Sequence, residues 1–126
     1  MDKADLIHQR LHEVIEIANT DPEGQRLAHK LNDGVLLFRV PGCFEAAVLV
    51  QDGKLTVIDS SAHPKAVCEF SDADSAWALM NRELSPYAAT VHKQLNQYGL
   101  SPMNDAFEKL WLLTFDRISA SLRKEK

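Results

Sequence analysis

The run SPMNDAFEKLWLLTFDRISASLR, residues 101–123, does most to limit what this chain can become. Ser101 suits a helix N-cap, and Pro102 suits the first helical position, where a missing N–H costs nothing. Met103, Phe107, Leu110, Trp111, Thr114 and Ile118 then recur every three or four residues, one face of a helix of period 3.6. In the middle the stripe thickens, and Leu110, Trp111, Leu112, Leu113 and Phe115 are apolar almost all round. Such a helix must be covered on nearly every side, by a sheet and other helices, by a partner chain, or along an apolar cavity. Burying Phe107, Trp111 and Phe115 is worth roughly 2–3 kcal/mol each as an upper estimate. Arg117, Arg123 and Lys124 place cations at the C-terminal end, where the helix dipole favours them.

The rest of the 126 residues must supply that cover. An apolar fraction of 45% with 25% charged residues predicts one globular domain. A net charge of −4 argues against nucleic-acid binding, which needs a basic surface. No run approaches the roughly 18–20 apolar residues that span a bilayer, so no transmembrane segment is expected. The opening MDKADLIHQRLHE has no apolar signal core. Cys43 and Cys68 lack CxxC spacing, and both are expected to act as small buried hydrophobes in a cytoplasmic protein.

Residues 4–18 read as an amphipathic helix with Ile7, Leu11, Val14, Ile15 and Ala18 inward and Gln9, Arg10, Glu13 and Glu16 mostly elsewhere. Asp21-Pro22 starts a second, shorter helix that buries Leu27, Ala28 and Leu31. After the Asn32-Asp33-Gly34 turn the period changes to two, and strands are expected through residue 71. Leu36, Phe38 and Val40 alternate with Leu37 and Arg39; after Pro41-Gly42, Phe44, Ala46, Val48 and Val50 point inward. Asp52-Gly53 is a strong hairpin signal, returning the chain as Lys54–Ile58, and Ala66–Phe70 makes a fourth strand with Cys68 and Phe70 inward. Ser71 with Asp74 resembles a capping box for a helix burying Ala73, Ala76, Trp77, Met80 and Leu84. Ser85-Pro86 opens a short helix near residues 87–92, and residues 93–98 form a polar fifth strand.

Little here resembles catalytic machinery. His8, His12 and Glu16 form an i, i+4, i+8 column, a spacing able to hold a divalent metal. With no second ligand cluster, the column reads as a wet helix face and no metal is expected. Ser60-Ser61 lacks the glycines of a nucleophile elbow, and no GxGxxG or GxxxxGK run is present. Asp72 and Asp74 read as acids at a helix start. No catalytic residues and no cofactor are expected.

From Gly34 onward, GVLLFRV, CFEAAVLVQDGKLTVI, AVCEFSD, FSDADSAWALMNRELSPYAA and QLNQYGLSPMNDAFEKLWLL follow the order of signals in the sterol carrier protein family. The chain resembles that family over about residues 34–122. The resemblance implies an α+β fold, a five-stranded mostly antiparallel sheet with helices covering one face. It also implies a non-enzymatic domain that carries a fatty acid, acyl-CoA or sterol-like lipid in an apolar tunnel between sheet and helices. By position, Trp77, Met80, Met103, Phe107 and Trp111 would line the tunnel from the helices, and Phe38, Phe44 and Val48 from the sheet. Methionine suits such walls because it adapts to flexible ligands. An interaction module that forms a homodimer through the same apolar helix face is the alternative. The chain departs from the family pattern in its polar fifth strand (Gln94, Asn96, Gln97) and in Leu100, which replaces an acidic residue. Its Arg-Lys-Glu-Lys ending carries no Ser-Lys-Leu-like peroxisomal address, which favours a bacterial-type cytoplasmic protein.

Overall fold

The computed structural model describes residues 2–58, 63–99 and 101–124. In chain order the elements are α1 (Lys3–Thr20), α2 (Pro22–Ala28), β1 (Gly34–Val40), β2 (Phe44–Gln51), β3 (Lys54–Ile58), β4 (Ala66–Phe70), α3 (Ala73–Met80), α4 (Pro86–Val91), β5 (Leu95–Gly99) and α5 (Ser101–Lys124). The strands form one sheet in the order β3-β2-β1-β4-β5. Its pairings are antiparallel except β1 with β4, where Phe38 sits opposite Cys68 in a parallel register. The architecture is α+β, with five helices and a mixed, mostly antiparallel five-stranded sheet.

The hairpin forms where the sequence asks for it. Asp52 and Gly53 take φ of 51° and 79°, the left-handed pair a two-residue turn requires. At Gly53 there is also no room for a side chain, since a Cβ would lie 2.3 Å from Nδ1 of His29. On one face of the sheet, Leu36, Phe38, Val40, Ala46, Val48, Val50, Leu55, Ala66, Cys68, Phe70 and Leu95 are buried, the alternation expected of half-covered strands. Opposite them, Arg39 pairs with Glu69 at 2.6 Å across β1 and β4. Leu37 and Ala47 are buried on that second face as well.

α1 presents Ile7, Leu11, Val14 and Ala18 to the core. Arg10 joins them, contrary to the solvent position expected from its charge. Its guanidinium donates to the carbonyl of Met80 (3.1 Å) and to Oδ1 of Asn81 (3.0 Å), and lies 4.8 Å from the Trp77 ring centre. A long stem in the core with its head on a helix C-terminus reconciles burial with charge. Asp21 joins three helices. Its N–H closes α1 on Ile17, its carboxylate accepts from Glu23 N and Gly24 N to start α2, and Arg117 of α5 donates to it at 2.8 Å. Asn19 clamps the free edge of β3, donating to the Leu55 carbonyl and accepting from the Leu55 N–H, both at 2.9 Å.

Further expectations are corrected. α3 ends at Met80, so Leu84 lies beyond the helix and is only partly buried. The α3 cap is Asp72, which accepts from Ser75 N at 2.7 Å, one residue later than the Ser71 capping box. β5 starts at Leu95 because residues 93 and 94 complete the turn leaving α4. Cys43 is exposed in the β1–β2 turn, while Cys68 is buried as expected.

Candidate functional site

The sheet meets α5 through aromatic rings. Phe38 lies with its ring centre 5.5 Å from both Phe70 and Trp111. Phe70 is 5.8 Å from Trp111, and Phe107 is 5.2 Å from it. All four residues are at most 1% exposed. Edge-to-face and tilted arrangements at these spacings suit the quadrupoles of the rings and add to the gain from burial. Phe44, partly buried, extends the series outward, 5.7 Å from Phe38 on one side and 5.6 Å from His8 on the other. A ladder of rings therefore runs from the surface of α1 to the inside of α5.

One polar atom in this layer is unmet. Trp111 Nε1 is buried with no hydrogen-bond partner among the described residues, as is Asn104 Oδ1, while Arg10 Nε lies 3.6 Å from Glu13 Oε1, an ion pair beyond hydrogen-bond length. An unpaired buried donor costs about 1–3 kcal/mol. Nearby, Cys68 is walled in by apolar groups, and burial pushes its thiol well above the ordinary range. Burial also raises the Glu108 carboxyl on the flank of α5, against a weak bond from Gln97 at 3.4 Å.

Three grooves open elsewhere on the surface. One of about 260 Å³ lies between α1 and the end of α5, lined by Ile17, Thr114 and Ile118 with Glu13, Glu16 and Arg117. A second of about 410 Å³ has a floor of Leu27, Leu112 and Leu113 and a rim that includes Arg26, Lys30, Arg82 and Lys109. A third of about 140 Å³ continues past Arg82 and Leu112 to Leu84 and Pro86. None of the eight residues expected to contact a ligand lines any of the three.

No family model and no curated protein sequence matches the chain. Solved structures do. The chain is similar to a structure described as the UbiJ-SCP2 ubiquinone synthesis protein, with TM-score 0.66 and 16% identity over 80% of this chain and 88% of the other. It is similar to sterol carrier protein domain 2 of Helicoverpa armigera, with TM-score 0.63 and 18% identity over 82% and 83%. It also resembles sterol carrier protein 2 of Aedes aegypti in complex with palmitate, with TM-score 0.60 and 17% identity over 88% and 96%. The fold is sterol-carrier-like.

Within this sterol-carrier-like fold, the sequence-selected residues fall into two groups. Phe38, Val48, Met80, Met103, Phe107 and Trp111 are buried in one core cluster, with Phe44 packed against it. Trp77 is also partly buried but lies at the rim, under the Arg10 guanidinium. Phe70 was not among the sequence-selected residues although its inward position on β4 was legible, and its ring completes a triangle with Phe38 and Trp111. The His8–His12–Glu16 column closes only in part. The two imidazoles meet, yet no group of three or more metal-ligating side chains forms among the described residues. Ser60 and Ser61 lie outside the described residues, and no described helix is long and apolar enough to cross a membrane.

Proposed function

We propose that this chain binds and carries an apolar ligand, a fatty acid or similar single-chain lipid, between the sheet and α5, without catalysing a reaction on it. The observation that carries the reading is the seam itself. It is a thick layer of phenylalanine, tryptophan and methionine holding a buried indole N–H with no acceptor among the described residues. The palmitate named in the Aedes aegypti structure supports the ligand class. Phe38, Phe44, Val48, Met80, Met103, Phe107 and Trp111 would contact the tail, and Trp77 would border it from the α3 side. Each buried CH₂ contributes about 0.8 kcal/mol, so a tail of a dozen or more carbons supplies enough to part the rings. A lipid oxygen accepting from Trp111 Nε1 would also relieve the unpaired donor.

Phe44 marks the way in, because it is the ladder ring that is only partly buried and reaches the rim beside α1. The alternative of a homodimer through the inner face of α5 has less support. Met103, Phe107, Leu110 and Trp111 are already covered by their own sheet and helices.

Native mass spectrometry of freshly purified protein and titration with a fluorescent fatty acid test the proposal. A lipid-sized mass excess and saturable binding are expected. Phe107→Asp should weaken binding, with circular dichroism to check that it folds. Trp111→Phe, which keeps an apolar ring and removes the donor, should weaken a fatty acid more than an alkane of equal length. Fatty-acid binding unchanged by both substitutions, in folded protein, would remove the seam as the site.

A further inference from the structure

His8 and His12 lie on consecutive turns of α1 with both side chains exposed, away from the Arg10 and Asp21 contacts that hold the helix in place. Their Nε2 atoms are 3.0 Å apart, and the rings meet edge to face with centres 4.6 Å apart. The Phe44 ring sits against His8 at 5.6 Å and limits how far that imidazole can swing away. In the metal-free pair one Nε2 carries the proton and donates it to the lone pair of the other.

That separation has a second meaning. Imidazole nitrogens bind a late divalent ion at about 2.0–2.1 Å. Two of them in cis positions are then about 3.0 Å apart for a right-angled shell, and about 3.4 Å apart for a tetrahedral one. The pair is already at the first distance. Chelation needs only that the ring protonated on Nε2 move its proton to Nδ1, so that both Nε2 lone pairs face the ion. We propose that His8 and His12 chelate one divalent ion of the nickel, copper and zinc group on the exposed face of α1. No third His, Cys, Asp or Glu completes a cluster with them among the described residues, so water fills the remaining positions. This is a site of modest affinity with the ordinary order of preference, copper above nickel and zinc. Closing a ring across one turn of α1 ties the ion to the folded chain, so binding raises thermal stability by mass action. The ion needs none of the buried rings, although Phe44, at the outer end of the seam, touches His8.

The test titrates chelator-treated protein with copper(II), nickel(II) and zinc(II) chloride by calorimetry at neutral pH, with thermal melts in parallel. Wild type should take one ion per chain, copper most tightly, with a rise in melting temperature. His8→Asn and His12→Asn should each weaken copper binding at least tenfold and abolish the rise. Both positions are exposed, so the variants should fold, and the other three of the five histidines remain as internal controls. Equal copper affinity in wild type and either variant would place the ion elsewhere and overturn the proposal. So would a wild type with no saturable binding.

Discussion

The two sides of α5 are chemically unlike although they share one apolar run. On the sheet side, Met103, Phe107, Leu110 and Trp111 are at most 1% exposed and belong to the core cluster. On the opposite side, Leu112 and Leu113 form the floor of an open groove, flanked by Lys109, Asp116 and, across the gap, Arg82. The difference shows that a helix apolar all round can satisfy two demands at once. One arc closes the core, and the other lies beneath the stems of long charged side chains. Arg82 spans that arc by pairing with Asp116 through two bonds of 3.1 and 3.0 Å.

Substitutions on the two arcs should therefore separate cleanly. Trp111→Ala is expected to have the largest effect, a loss of about 3–5 kcal/mol in denaturant unfolding, since its neighbours cannot collapse into the space. A loss under about 1 kcal/mol would mean that the seam is already loosely packed, and would erase the contrast. Asp21→Ala, which unties α2 and the solvent-side Arg117, should cost about 1–2 kcal/mol as a lost cap. The bond from Arg117 holds the Asp21 carboxyl below its ordinary range, with the Gly24 and Glu23 amides helping. Its contribution is complete at neutral pH and fades as pH falls through that lowered value. Wild type and variant should therefore begin to converge below about pH 4, the ordinary Asp range, and meet only below the lowered value.

Glu108 should show the opposite sign. Burial raises its folded pKa, so ionisation opposes folding as pH rises past the carboxylate range. Glu108→Gln should equal wild type in acid and be the more stable protein at pH 7, by thermal melts at both pH values. A variant less stable at pH 7 would mean that the Gln97 bond outweighs burial. Lys109→Ala, on the open arc, should change stability by about 0.5 kcal/mol or less.

Much of this was legible in the sequence wherever the cause is local. Asp52-Gly53 fixed the hairpin, Ser85-Pro86 started α4, and the alternation around Phe38 and Phe44 assigned their faces. The parallel pairing of β1 with β4 was not legible, because no short-range signal tells a returning strand which neighbour to choose. Arg10 escaped notice because its charge argued for solvent, while the helix end that receives it lies seventy residues away in the chain. For the candidate site, the sequence named most of the rings that meet in the core but not how they stack. Contact between Phe38, Phe70 and Trp111 depends on three separate elements, β1, β4 and α5, brought together only by the fold.

Asn19 carries a consequence beyond the fold. By occupying both backbone groups of Leu55, its amide impersonates one residue of a sixth strand and stops the sheet from recruiting another. Asn19→Ala would bare that rung. At high concentration the variant should then stack chain against chain, and light scattering would register a tendency to polymerise that a single side chain otherwise holds in check.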